Sequence, residues 1–178
     1  MKLWIGLGAC VALATGFAYF GTRSANAIAS ANTLCGKDVF VPGGAGVSAP
    51  IETASGLRFQ TVHAGDGAHP GADDVALVAY KGKLKDGTVF DENARAPLAV
   101  NAVVPGFSEG LKLMQRGGSY RMCIPPALAY GAQGVPGHIP PNATISFAVD
   151  LADFKSQAEL EMQAMQMQQQ RGAQPPAH

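Results

Sequence analysis

Alternating apolar and polar residues predict antiparallel strands in the central part of the chain. The clearest pattern lies at 145–151, where every second residue is a large apolar one and the residues between are small or polar. A period of two gives a strand one buried face and one solvent face. Shorter strands are predicted at 57–60, 75–83, 89–91 and 119–124.

A hairpin turn and one short helix complete the predicted domain. The Asp86-Gly87 pair tolerates the positive φ values that a tight hairpin needs. Pro105 suits the first position of a helix, and Phe107, Leu111 and Met114 then share one helical face. Several antiparallel strands covered by a single amphipathic helix predict an α+β fold of two layers.

The N-terminal segment 1–27 has the pattern of an export signal. Lys2 precedes an uncharged apolar run over 3–21, and Ala25-Asn26-Ala27 is a small-x-small cleavage site. We predict cleavage after Ala27. The alternative is an uncleaved inner-membrane anchor, because the run approaches the roughly 18 to 20 residues that span a bilayer. In either case we expect the rest of the chain to be periplasmic or secreted.

Two further segments flank the predicted domain, which we place at 53–155. Residues 28–52 are rich in Ala, Gly and Pro and are predicted to form an irregular arm. Residues 156–178 form a Gln- and Met-rich tail, which we expect to be exposed and partly disordered. A frayed helix is an alternative. A surface of methionines for flexible apolar partners is another.

Charge and cysteine content narrow the function classes. The 178 residues carry 13 basic and 13 acidic side chains with no basic block, so a nucleic-acid surface is not expected. Cys35 and Cys123 would remain in an oxidising compartment after loss of the leader. They could form a disulfide or stay as two thiols, because the sequence does not show whether their Cα atoms approach each other.

No cofactor or metal site is predicted. His63, His69 and His138 have no ligand spacing, and there is no Cys-x-x-Cys motif. The stretch 106–110 matches the G-x-S-x-G nucleophile elbow, which needs a strand directly before Ser108. Pro105 interrupts that approach, so a serine hydrolase is only a third hypothesis.

Six segments of the chain resemble the FKBP-type peptidyl-prolyl isomerases, in the order and spacing of that family. They are 78–82, 86–91, 103–111, 124–131, 139–145 and 147–151. The resemblance covers about 53–155. It implies a bent antiparallel sheet wrapped around one short α-helix, with an apolar pocket for a prolyl side chain between them. By this resemblance, residues 106–110 form the start of the family's helix.

The resemblance implies a set of site residues. The catalytic positions would be Tyr80, Asp91, Tyr130 and Phe147, and the substrate-binding positions Phe90, Leu98, Val103, Val104, Phe107 and Ile139. The Val104 N–H and the Tyr130 hydroxyl would donate to substrate carbonyls. Asp91 would orient the substrate or hold Tyr80. Phe107 stands where the family often has Trp, and Leu98 where it often has Phe. Because of these two departures, the resemblance does not fix the level of activity. It also does not fix the affinity for the family's macrolide inhibitors.

The function implied is non-covalent isomerisation of X–Pro bonds during folding of exported proteins. It requires neither nucleophile, metal nor cofactor, only tighter binding of a twisted amide than of a planar one. The expected partners are unfolded or partly folded polypeptides that contain proline, and the expected state is a monomer. The alternative is a peptide-binding module or chaperone of the same fold with little isomerase activity.

Overall fold

The structure is a computed structural model that describes Cys35 and residues 40–172, with only the backbone of 171 and 172. The predicted leader and its cleavage site lie outside the described residues. Within them, no helix combines the length and the apolar character needed to cross a bilayer.

Over residues 40–172, six antiparallel strands form one open sheet, and two helices accompany it. The strands are β1 (Ile51–Glu52), β2 (Arg58–His63), β3 (Asp74–Leu84), β4 (Val89–Ala99), β5 (Ser119–Ile124) and β6 (Ile145–Ser156), in the spatial order β1-β2-β5-β6-β3-β4. The helices are α1 (Pro105–Leu113) and α2 (Gln157–Gly172), with a 3₁₀ turn at Pro126–Leu128. The predicted α+β class, an antiparallel sheet covered by a short helix, is confirmed.

The alternation predicted for β6 is confirmed with one exception. Its large apolar residues are all buried, at 0 to 6% exposure: Ile145, Phe147, Val149 and Leu151. Ser146 is also buried, although it faces the other side of the sheet. Its hydroxyl donates to the Lys83 carbonyl of the neighbouring strand, which satisfies the polar group.

The hairpin between β3 and β4 forms as predicted, but β4 is longer than its pattern indicated. Gly87 has a φ of 93°, and the Thr88 N–H donates to the Asp86 carboxylate. Asp86 is fully exposed, and this bond lowers its pKa. The prediction ended the returning strand at residue 91, whereas β4 continues to Ala99. Most of its side chains are exposed at the sheet edge, so no alternation marks them.

Helix α1 packs its predicted face into the core. Phe107, Leu111 and Met114 have exposures of 3, 0 and 0%. The helix ends at Leu113, earlier than the glycine pair at 117–118 that was predicted to stop it. The physical reason is Tyr120, whose hydroxyl accepts from the Gln115 N–H and donates to the Gln115 carbonyl. These bonds satisfy a backbone that has left the helix.

The N-terminal arm is irregular between residues 40 and 50, and hydrogen bonds and a disulfide attach it to the sheet. The buried Gln60 amide bonds both backbone groups of Val41 and the Ser48 carbonyl. Cys35 and Cys123 form a disulfide with a Cα–Cα distance of 5.9 Å. The bridge, which the sequence left open, is therefore present, and both cysteines are buried with Phe40.

Residues 157–172 of the tail form the regular helix α2, as in the helical alternative, and the side chains of 157–170 are exposed as expected. A reciprocal pair of hydrogen bonds starts it: the Glu159 N–H donates to Ser156 Oγ, and the Ser156 N–H donates to the Glu159 carboxylate. This capping box satisfies two backbone donors that a helix start otherwise leaves free.

Loss of the disulfide should destabilise the domain strongly. The bridge joins residues 88 apart in sequence, and a loop of that size is worth about 4 to 5 kcal/mol in the chain-entropy model. We expect the Cys35→Ser, Cys123→Ser double variant to unfold at a much lower urea concentration than the oxidised parent. The matched control is the urea unfolding curve of the parent chain recorded in the presence of a reductant. Equal midpoints for oxidised parent and variant would contradict this prediction.

Candidate functional site

The centre of the candidate site is the ring of Phe147, which three other aromatic rings contact edge-on. Its centroid lies 4.8 Å from that of Phe107, 5.6 Å from Phe90 and 6.1 Å from Tyr80, with interplanar angles of 80°, 82° and 65°. Aromatic pairs prefer this T-shaped arrangement, because the positive edge of one ring meets the negative face of the other. Four separate elements therefore meet at one side chain.

Sheet register and helix direction explain why these rings meet. Tyr80 pairs with Val149, and Gly82 pairs with Phe147, on the neighbouring strands β3 and β6. Gly82 also pairs with Asp91, the residue after Phe90 on β4. A methyl group at Gly82 would lie 2.7 Å from atoms of both the Phe147 and the Phe90 rings. The sequence had not indicated a role for Gly82, because a glycine within a strand carries no hydrophobic pattern.

One carboxylate, Asp91, lies among the polar groups of the site. The Tyr80 hydroxyl donates to Asp91 Oδ2 at 2.8 Å. Burial, followed by this bond and the charge of Asp91, raises the pKa of Tyr80 to about 12. Burial and the charge of Asp91 also raise the pKa of Tyr130. Both phenols therefore stay protonated near neutral pH and can act as hydrogen-bond donors.

Two donors among the predicted site residues are left without a partner in the described part of the chain. The Val104 carbonyl accepts from the N–H groups of Phe107 and Ser108 as α1 begins, whereas the Val104 N–H donates to no described residue. The Tyr130 side chain is 37% exposed, and its hydroxyl has no hydrogen bond to any described group. Both donors are available to a bound peptide.

Four of the predicted site residues contact one another directly through their rings: Tyr80, Phe90, Phe107 and Phe147. The other apolar ones, Ile139, Leu98, Val103 and Val104, belong to the hydrophobic core of the domain or pack against it. Asp91 and Tyr130 are outside that core, and Asp91 accepts a hydrogen bond from Tyr80. The sequence missed Leu128 and Ala129, which also pack there.

Three other features of the described residues were considered as sites: metal ligands, the serine motif and a second cleft. They contain no group of three or more His, Cys, Asp or Glu side chains placed to hold a metal ion. Ser108 of the elbow-like motif lies in the first turn of α1, where no strand precedes it directly. A cleft of about 330 Å³ lies on the opposite face of the sheet, beside Ala79 and Asp150, and contains none of the aromatic residues.

A comparison with protein families decides the class of this domain. Residues 67–152 match the model of the FKBP-type peptidyl-prolyl cis-trans isomerase domain. The domain belongs to this family. The resemblance inferred from the sequence motifs is thereby confirmed.

Bacterial relatives and solved structures agree with the family. FkpA of Escherichia coli K12 is 47% identical over 110 residues, which are 59% of this chain and 40% of FkpA. The outer membrane protein MIP of Legionella longbeachae is 42% identical over 58% of this chain and 46% of MIP. The crystal structure of E. coli FkpA superimposes with a TM-score of 0.60 and 37% identity, covering 76% of this chain and 62% of that one. The match thus spans less than half of the length of these two curated relatives.

The contact around Gly82 should be sensitive to a single methyl group. Gly82→Ala forces Phe90 and Phe147 apart, and such overpacking typically costs about 1 to 3 kcal/mol. We expect a lower melting temperature and weaker binding of a proline peptide to the FKBP domain. Gly44→Ala is the matched control, because nothing lies within 4 Å of a methyl group there. Identical behaviour of the two variants would contradict the prediction.

Asp91→Asn should lower the pKa of Tyr80 from about 12 toward its ordinary value of 10.0, without reaching it, because burial remains. In the parent, folded Tyr80 holds its proton to a higher pH than the unfolded chain does. Its contribution to stability is therefore complete below pH 10 and is lost as the pH rises to about 12. In the variant this loss should end at a lower pH.

Tyrosinate absorbance against pH measures the change, and Tyr80→Phe assigns the titration. A titration that Asp91→Asn leaves unaltered would show that the carboxylate does not act on Tyr80.

Proposed function

We propose that this protein is an exported peptidyl-prolyl cis-trans isomerase that accelerates X–Pro isomerisation in unfolded or partly folded polypeptides. The observation that carries the proposal is the arrangement at Phe147. Three aromatic rings surround it, while the Val104 N–H and the Tyr130 hydroxyl have no partner among residues 40–170. An apolar pocket with a few hydrogen-bond donors fits a prolyl ring and its flanking carbonyls.

The residues of the proposed pocket have three roles: ring contacts, apolar walls and hydrogen-bond donors. The rings of Phe147, Phe107 and Phe90 contact the pyrrolidine ring, and Ile139 with Leu98, Val103 and Val104 forms the apolar walls. The Val104 N–H and the Tyr130 hydroxyl fix the peptide by donating to its carbonyls. Macrolides that fill the same apolar pocket are candidate inhibitors.

The mechanism lowers the barrier without a covalent step. Amide resonance gives an X–Pro bond a rotation barrier of roughly 18 to 20 kcal/mol. Water stabilises the polarised planar amide, and an apolar site removes that stabilisation. Donors placed to bind the rotated carbonyl favour the twisted state. Each 1.36 kcal/mol of such preference is a factor of ten in rate.

Asp91 acts chiefly by holding the Tyr80 side chain in place. The 2.8 Å hydrogen bond fixes the phenol whose ring packs against Phe107 and Phe147. A direct contact of the carboxylate with the substrate carbonyl carbon is the alternative role. Asp91→Asn keeps a hydrogen-bond acceptor for Tyr80 but removes the charge, so it separates the two roles in the activity assay.

The cellular setting follows from residues 1–27. We infer that they export the chain, that it works as a monomer in the periplasm or outside the cell, and that 53–155 is the isomerase unit. The relatives include one named as an outer membrane protein. The mass of the exported product tests cleavage after Ala27, and removal of the leader also removes Trp4, the single tryptophan of the chain.

The decisive experiment follows cis-to-trans isomerisation of a Leu-Pro tetrapeptide. Tyr130→Phe removes one neutral hydrogen bond, worth about 0.5 to 1.5 kcal/mol, so kcat/KM should fall roughly two- to tenfold while the melting temperature stays the same. Tyr120→Phe is the matched control. It leaves the Gln115 backbone unsatisfied and should lower stability without changing kcat/KM.

A folded parent that does not accelerate the tetrapeptide would contradict isomerase activity. It would favour the second candidate, a peptide-binding module of the same fold. Binding of the same peptide without turnover would then be the expected result.

A further inference from the structure

The cleft of about 330 Å³ on the sheet lies on the face that points away from the Phe147 cluster. Ala79, Asp150 and Ser119 line it, and they stand opposite one another on the neighbouring strands β3, β6 and β5. Successive residues of a strand point to opposite faces of the sheet. Tyr80, the next residue of β3, contacts Phe147. The cleft is therefore separate from the proposed isomerase pocket.

Two β-bulges shape this cleft. On β4, Ala94 and Arg95 together lie opposite the single residue Ala79 of β3. On β6, Ala152 is the extra residue, because its two neighbours pair with consecutive residues of β3. All four residues line the cleft. A bulge bends its strand and re-aims a side chain, and the three alanines leave room that larger side chains would fill.

Groups of opposite charge flank these alanines. Arg95 lines the cleft from β4 and Asp150 lines it from β6, with β3 between their strands. Both residues are exposed, and neither the guanidinium nor the carboxylate has a partner among residues 40–170. The Ser119 hydroxyl has no hydrogen bond to a described residue either. One cation, one anion and one hydroxyl are thus available to a ligand.

Strand spacing sets the size of molecule that meets both charges. Neighbouring strands lie about 4.8 Å apart, so two strand spacings separate the backbones of Arg95 and Asp150 by about 10 Å. The long arginine side chain covers part of that distance. The remaining gap is comparable with the length of an extended dipeptide, about 7 Å.

Charge and volume also disfavour other occupants. An inorganic anion would bind Arg95 but be repelled by Asp150, and a metal cation would meet the reverse situation. A segment within a polypeptide chain carries neither an ammonium nor a carboxylate terminus. A volume of about 330 Å³ is at the small end of the range for small-molecule sites. The cleft therefore fits a small molecule that carries both charges.

We propose that this cleft binds a small zwitterion of dipeptide size, with its carboxylate on the Arg95 guanidinium and its ammonium on the Asp150 carboxylate. A guanidinium can hold a carboxylate by two parallel hydrogen bonds. The Ser119 hydroxyl bonds the peptide group of the ligand, and the alanine methyl groups contact its side chains. None of these residues belongs to the aromatic cluster, so the site goes beyond the proposed isomerase function.

The first test adds the dipeptide Ala-Leu to the ¹⁵N-labelled full chain and follows the backbone amide NMR signals. We expect saturable shifts at Ala79, Arg95, Ser119 and Asp150, with a dissociation constant of about 1 mM, as suits an exposed site and a ligand of this size. The signals of Phe107 should stay unchanged, because the probe contains no proline.

Capped dipeptides assign each terminus of the ligand to its residue. Ala-Leu amide keeps only the ammonium, and acetyl-Ala-Leu keeps only the carboxylate. Each should bind the parent about two- to fivefold more weakly than Ala-Leu, the factor that one exposed ion pair supplies. Arg95→Gln should weaken Ala-Leu by the same factor without weakening Ala-Leu amide. Asp150→Asn should likewise weaken Ala-Leu without weakening acetyl-Ala-Leu.

Two charge-matched variants are the controls. Arg121→Gln removes a positive charge and Glu161→Gln a negative one, and neither residue lines the cleft. At an ionic strength of about 0.15 M, charges farther away than the Debye length are largely screened. Both controls should therefore bind Ala-Leu as the parent does. The amide spectrum of each variant without ligand checks that its fold is retained.

Three outcomes would overturn the inference. The first is the absence of saturable shifts around the cleft at Ala-Leu concentrations up to about 10 mM. The second is equally tight binding of acetyl-Ala-Leu amide, which carries no charge. The third is a set of shifts confined to Phe107 and Tyr130, which would place the dipeptide in the aromatic pocket. Failure of the prolyl isomerase assay would leave all three readouts unaffected, so the two proposals fail separately.

Discussion

The close approach of side chains to the backbone at three glycines is the constraint on which the site depends. Gly82 allows Phe147 and Phe90 to meet, Gly106 lets α1 lie against Ile124, and Gly110 lies against the Met122 sulfur. Any side chain at these positions would push the helix or the strands outward. Phe147 can contact rings from α1, β3 and β4 only because the elements are this close. The aromatic cluster around Phe147 is thus a consequence of packing as well as of its own residues.

The electrostatics of the site involve one carboxylate and two phenols. Among the described residues, Asp91 is the acidic group that accepts a hydrogen bond from the aromatic cluster. Burial, followed by the effect of Asp91, raises the pKa of both Tyr80 and Tyr130. No group there has to change its protonation state for an amide bond to rotate. A site of fixed hydrogen-bond donors in apolar surroundings suits a reaction in which no bond is made or broken.

The sequence predicted what local pattern determines and missed what tertiary contacts determine. The alternation of β6, the Asp86-Gly87 turn and the apolar face of α1 follow from local rules and are confirmed. The length of edge strand β4 and the early end of α1 depend on neighbours, as the Tyr120 hydroxyl shows. The Cys35–Cys123 pairing could not be decided, because it needs the distance between two Cα atoms. Motif resemblance named the residues of the candidate site, but gave Gly82 no role.

A prolyl side chain bound against Phe147 would change the surroundings of all the rings that contact Phe147. Aromatic carbon–proton NMR spectra of the folded chain, recorded while a proline peptide is added, are the sharpest test. We expect the signals of Phe90, Phe107 and Phe147 to shift together. Those of the separate stacked pair Phe59 and Tyr120, whose centroids are 5.3 Å apart, should not move. Shifts confined to residues outside the Phe147 cluster, with the Phe147 signals unchanged at saturation, would contradict it.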